Sequence, residues 1–284
     1  MISSGICASL VQTLVKFTAQ QNVHPFQIAF IRSILVIPLL LPFFIAKGIN
    51  NLKTKHPKLT FLRSIIGSIA VILFFYGLSI TEIAKTQALV FIVPIFASIL
   101  AIIFLNEKVG IRRWIAMAFG FLGAMIVLQP NIQVDLGPTC ILIACFFWSA
   151  SVLINKYLTK SDTNSSIVFW QAIGVLPATF IISIPVWKWL SIENFMFLLI
   201  IAIIGTLTHF LLTSALKRGD VSFLLPFDYL RLIWSILLGF YIFQEIPSNN
   251  VWTGGIIIIF STMYISYREI KLKINNEEKN FTTV

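Results

Sequence analysis

Asp228 and Arg231 stand three positions apart inside Val221–Pro247, VSFLLPFDYLRLIWSILLGFYIFQEIP, an otherwise apolar stretch long enough to cross a bilayer. An ionisable group near the middle of such a span costs at least about 2.5 kcal/mol unless it meets a partner or water. At i and i+3 the two side chains share a helical face and can pair with each other. Two readings follow: a structural ion pair within a helix bundle, or a polar patch on a solute pathway. Three further polar stripes fall on single helical faces: Ser9, Gln12 and Lys16; Trp148, Ser151 and Asn155; Thr206, His209 and Thr213. Gln87 and Phe91, at i and i+4, together with Tyr76, would supply a polar contact and a stacking surface. Ser and Thr also serve as interhelical contacts in membranes, and aromatic residues as ordinary packing. No histidine or acid stands at ligand spacing from His209, so no metal is expected. The candidate solute contacts are Tyr76, Gln87, Phe91, Trp148, Asn155, His209, Asp228 and Arg231.

The elements that must position these residues follow from composition. Of 284 residues, 58% are hydrophobic and only 11% charged, more apolar surface than a soluble core of this size would hide. The net charge of +10 is scattered through short joints, with no basic patch interleaved with aromatics, so no nucleic-acid partner is expected. Cys7, Cys140 and Cys145 lie in apolar context and read as packing residues.

Runs of spanning length fall near Ile2–Gln21, Gln27–Ala46, Phe61–Ile80, Thr86–Leu105, Arg112–Gln129, Leu136–Tyr157, Ser165–Trp187, Phe195–Ala215, Val221–Phe243 and Val251–Tyr267. The expected fold is an all-α membrane protein of ten transmembrane helices. The stretch from Arg268 to Val284 reads as a solvated tail. Basic residues crowd alternate joints, with only Lys85 and Lys188 in the opposite set, so both termini are expected in the cytoplasm. Lys16, Arg32, Arg63 and Arg231 remain inside or at the edges of spans.

An internal repeat is legible by position. Gly67 and Gly205, Glu107 and Glu245, and Trp114 and Trp252 are each separated by 138 residues; Pro38 and Pro177 by 139, and Lys16 and Lys156 by 140. Five is odd, so a second five-helix copy enters the membrane from the opposite side, an inverted repeat suited to alternating access. Pro94 removes a backbone hydrogen bond to Val90 and should bend the fourth span. Glu107 and Glu245 read as anchors at the membrane surface. Gly120 with Ala124, and Gly254 with Gly255, offer surfaces for close helix approach.

These motifs resemble the drug/metabolite transporter superfamily, in its ten-helix members with two EamA domains. The resemblance rests on HPFQIAFIRS, YGLSITEIAKTQALVFIVPIFASILAIIFLNEKV and RRWIAMAFGFLGAMIVL in the first half, and on LKRGDVSFLLPFDYLRLIWSILLGFYIFQEIP and VWTGGIIII in the second. It implies two EamA repeats, residues 1–130 and 136–268, followed by a cytoplasmic tail at 269–284. It also implies a secondary transporter of a small-molecule solute in the bacterial inner membrane, in contact with lipid, with a central cavity lined by the first, third, fourth, sixth, eighth and ninth helices. No cofactor is implied, and a homodimer is compatible with it. The fourth and ninth helices also look similar to the subgroup that takes up S-adenosylmethionine, an alternative, narrower reading. The second copy departs by carrying Gln171 where the first has Arg32, and Leu232 where the first has Pro94.

The rival from another class is a non-transporting membrane scaffold or enzyme. Paired carboxylates, Ser-His-Asp candidates, HExxH and phosphate-cradling loops are lacking, so no enzymatic activity is expected. The topology is testable: a cysteine at Asn131, between the fifth and sixth spans, should react with an impermeant reagent from the periplasmic side. Labelling from the cytoplasm alone would overturn the inverted repeat.

Overall fold

The computed structural model describes residues 2–47, 53–105, 111–128, 135–218 and 230–282. Among these residues the regular structure is helical, with no strand: α1 (Ile2–Gln20), α2 (Pro25–Lys47), α3 (Pro57–Ser79), α4 (Ile83–Val90), α5 (Val93–Leu105), α6 (Ile111–Leu128), α7 (Leu136–Leu158), α8 (Asn164–Ser183), α9 (Ile192–Arg218), α10 (Leu230–Phe243) and α11 (Asn249–Thr282). Four stretches are long and apolar enough to cross a membrane, namely Pro57–Ser79, Leu136–Leu158, Asn164–Val186 and Ile192–Ala215. Shorter apolar helices include Pro25–Leu41, Trp114–Val127 and Ile233–Phe243. Phe119, Leu122, Ile181, Leu207 and Phe260 are exposed on the outside while Ile28, Leu89, Ile141 and Leu198 are fully buried. Helices apolar on both faces are the signature of a bundle solvated by lipid.

Local sequence sets the helix limits. Pro25 and Pro57 occupy first helical positions, where no intrahelical N–H is lost. His24 Nδ1 accepts the Phe26 amide, and burial, reinforced by the charge on Lys188, holds the His24 imidazole below its usual pKa and so keeps that lone pair free. Thr163 caps α8 by accepting from the Ser166 amide at 3.2 Å. The expected bend at Pro94 is a full break: α4 stops at Val90, Phe91 and Ile92 form a turn, and α5 begins at Val93.

The helices pair in a regular way. α3 lies antiparallel along α7, α6 along α11, α2 against α8 and α1 against α9; α3 also meets α8, α2 meets α9, α1 and α4 meet α10, and α4 and α5 meet α7. Small residues make the closest approaches. A Cβ on Gly77 would lie 2.7 Å from the Gly137 carbonyl oxygen, and a Cβ on Gly254 would lie 2.5 Å from that of Gly123.

The segment after Arg268 continues α11 as helix to Thr282. Of the small residues expected to allow close helix approach, Gly254 meets the Gly123 carbonyl of α6, Gly120 faces the flexible end of Ile95, and Gly255 faces Ala88 at 3.6 Å. Glu245 follows the end of α10 with its side chain 14% exposed and paired with Lys16. Glu107, Asn131, Asp228 and the beginning of the ninth span lie outside the described residues.

The glycine geometry yields a paired prediction. Gly254→Ala should force α6 and α11 apart, a cost of about 1–3 kcal/mol that exceeds the helix-propensity gain of about 1 kcal/mol. Gly255→Ala, with only an ordinary contact to meet, should be neutral or stabilising. Thermal unfolding of the detergent-solubilised variants checks the order, and equal melting temperatures would refute the close crossing.

Candidate functional site

Among the described residues, two polar clusters stand out within the apolar bundle. The first begins with Arg32 of α2, whose guanidinium lies 5.5 Å over the Phe75 ring and whose Nη2 stands 2.9 Å from His209 Nε2 on α9. Arginine can only donate, so His209 Nε2 accepts and its proton resides on Nδ1, which fixes a neutral tautomer. Gly205, one helical turn before His209, makes room: a Cβ there would fall 3.1 Å from Arg32 Nε. Beside this pair, Arg63 of α3 is almost wholly buried and donates to the Ile167 carbonyl at 3.2 Å and to Gln171 Oε1 at 2.7 Å, both on α8. Ser64 and Ser68 continue the seam by donating to the Trp170 and Gly174 carbonyls.

The second cluster closes one end of the bundle. Gln244 takes a φ of 56°, a left-handed conformation that stops α10, and the Glu245 amide then donates to the Gly239 carbonyl. This reversal turns the Glu245 carboxylate inward. Its Oε1 receives the Lys16 ammonium from α1, and its Oε2 accepts the Ile83 amide at the start of α4 at 2.8 Å. Lys16 also donates to the Thr81 carbonyl at 2.7 Å and lies over the Phe243 ring. One ion pair thereby ties α1, α10 and the α3–α4 joint.

Among the described residues, the expected contact residues meet several different partners. His209 belongs to the first cluster. Tyr76 packs its ring 5.8 Å from Phe26, and Trp148 stands edge-on to Phe74 at 5.4 Å. Phe91 is buried in the α4–α5 turn. Gln87 is fully buried, with neither amide atom partnered among the described residues, and the same holds for Gln12 on α1. Asn155 Oδ1 is likewise without a hydrogen bond. Such atoms call for water or a ligand. Arg231 is buried at the start of α10, where its backbone carbonyl accepts from Ser9 Oγ at 3.3 Å. Its expected pairing with Asp228 falls outside the described residues. The stripe in α1 divides: Ser9 bonds to α10 and Lys16 to Glu245, leaving Gln12 unpaired.

Arg32, Arg63 and Glu245 were absent from the expected contact set. The available signal was the short roll of basic residues stranded inside spans, and the substitution of Gln171 for Arg32 between the two copies. Among the described residues no group of three metal-ligating side chains occurs.

The chain matches the family model described as the EamA-like transporter family twice, over residues 1–129 and 135–267. It is 32% identical over 256 residues to an S-adenosylmethionine uptake transporter of Rickettsia bellii, covering 88% of this chain and 86% of that protein. It is 29% identical over 276 residues to a riboflavin transporter of Vibrio cholerae, covering 95% and 93%. A crystal structure superposes with a TM-score of 0.66 over 95% of this chain and 97% of the other, at 14% identity, a likeness of fold alone. With both halves matched and relatives similar over nearly their full length, the chain belongs to the EamA-like transporter family.

Proposed function

We propose that the protein is a secondary transporter with ten spans in two inverted five-helix repeats, which carries its solute across the bacterial inner membrane by alternating access at a site between them. The helix pairing carries this reading. With α4 and α5 taken as one span, advancing every span by five sends α3–α7 to α9–α1, α2–α9 to α8–α3, and α1–α10 to α7–α4 and α7–α5, while α2–α8, α6–α11 and α4–α10 map onto themselves. A bundle with this internal two-fold can exchange the roles of its ends at little cost in packing.

The Lys16–Glu245 pair is the latch of the closed end in this scheme. The repeat-equivalent positions, Lys156 and Glu107, carry the same two residue types, so the opposite end has the material for a matching latch.

S-adenosylmethionine is the first solute to test, because the Rickettsia relative is named for its uptake; riboflavin is the second, from the Vibrio relative. Purified protein in liposomes should give saturable uptake and counterflow of the accepted solute. A scaffold or an enzyme would give neither, and linear flux without counterflow would indicate a pore.

The latch makes its own prediction. Removing one partner of a buried pair costs about 3–5 kcal/mol, so single changes confuse opening with misfolding. The neutral double variant Lys16→Met with Glu245→Gln leaves no orphan charge. In it, a cysteine at Gln12, one turn deeper than Lys16, should be labelled several times faster from the Glu245 side than in the parent. Equal rates would show that the pair holds the fold and gates nothing.

A further inference from the structure

We infer that the site recognises its solute through a carboxylate group, received by Arg32 with His209 beside it; this rests on the transport reading above. The charge inventory of the spans comes first. Once Lys16 is matched with Glu245, three arginines remain inside the apolar runs, Arg32, Arg63 and Arg231, against one carboxylate, Asp228. Among the described residues neither Arg32 nor Arg63 has an acid to answer it. Among the described residues the other acids on joints and helix ends are engaged or peripheral: Asp162 accepts from Thr54 and the Lys55 amide, Asp135 from Lys85, and Glu82 and Glu193 stand at helix beginnings. An excess of cation held in hydrocarbon is costly, and it persists where a function uses it.

The two unanswered arginines are not equivalent. Arg63 is nearly inaccessible and spends its terminal nitrogens on neutral acceptors of α8. Arg32 is partly accessible, stacks on Phe75 and has one hydrogen bond, to His209, so most of its five N–H donors are unspent among the described residues. Because His209 Nε2 is fixed as the acceptor, Nδ1–H is a further donor in the same neighbourhood. Gly205 clears the space against Arg32 Nε. A planar guanidinium with a free edge, steadied by an aromatic face, matches the two oxygens of a carboxylate in bidentate fashion.

The repeat sharpens the point. Gln171 occupies in the second copy the place of Arg32 in the first, and it is already consumed as the acceptor for Arg63. The same position therefore holds a spent neutral amide in one half and an unspent cation in the other. Gln171 is accounted for by Arg63, while the unspent donors of Arg32 suit a solute with one anionic end.

The test measures binding to the full-length detergent-purified protein by calorimetry, and flux in liposomes as a separate readout. Each probe is paired with its decarboxylated form: S-adenosylmethionine with decarboxylated S-adenosylmethionine, methionine with 3-(methylthio)propylamine, lysine with cadaverine; riboflavin, which has no carboxylate, stands alone. At least one carboxylate-bearing probe should bind, and loss of its carboxylate should weaken binding roughly 10- to 100-fold, as for a charge-assisted hydrogen-bonded pair. In Arg32→Gln, which keeps an amide donor for His209, the preference within the pair should vanish while the melting temperature stays near that of the parent. Arg32→Lys should retain part of the preference. Where Arg32→Gln does not fold, the wild-type pairs and Arg32→Lys decide the matter. Binding of riboflavin alone, binding of no carboxylate-bearing probe, equal binding within the pairs, or a preference untouched in the Arg32 variants would each overturn the inference. S-adenosylmethionine flux with no carboxylate preference would sustain the transport reading and sink this one; carboxylate-dependent binding without flux would do the reverse.

Discussion

A charge inside an apolar bundle has to be answered from another helix, because the surrounding lipid offers it nothing. The buried Lys16–Glu245 pair is the plainest instance. The ammonium from α1 meets a carboxylate delivered by the left-handed residue Gln244, and the leftover acceptor and donor capacity of the pair goes to the Ile83 amide and the Thr81 carbonyl. Three parts of the fold converge on one ion pair for this reason. Arg63 illustrates the other solution, in which a carbonyl and an amide of α8 stand in for an acid.

Packing follows a different rule from electrostatics here. Lipid tails are as apolar as leucine, so burying apolar side chains does little to bring spans together, and close contact depends on small residues. Gly77 against Gly137 and Gly123 against Gly254 set how closely α3 approaches α7 and α6 approaches α11. The proposed inverted repeat lets the helix frame be nearly symmetric while its polar contents differ from half to half, Arg32 against Gln171 being the clearest case.

The membrane transporter class of the protein was legible from composition, from the spacing of apolar runs and from the quoted motifs, and the EamA-like family membership agrees with it. The break of the fourth span was readable at Pro94, since proline's missing N–H is a local fact of the chain. His209 was legible as a polar residue within a helix, but its role as the acceptor for Arg32 was not. The contact joins residues 177 positions apart, and no local pattern encodes which two helices touch.

Local chemistry and period were therefore settled by the sequence itself: where helices run, which prolines and caps limit them, and which few charged side chains are stranded among apolar neighbours. The tertiary structure decided the partners. Glu245 reads along the chain as a residue at the end of a span, at home near water, and only the reversal after α10 turns it toward Lys16. Gly123 and Gly120 are interchangeable in a one-dimensional reading, and the rotation of α6 against α11 selects one of them. The physical reason is the same in each case. Helix formation is governed by neighbours within four residues, whereas satisfaction of a buried charge or a close backbone crossing depends on side chains that the chain brings together only after it has folded.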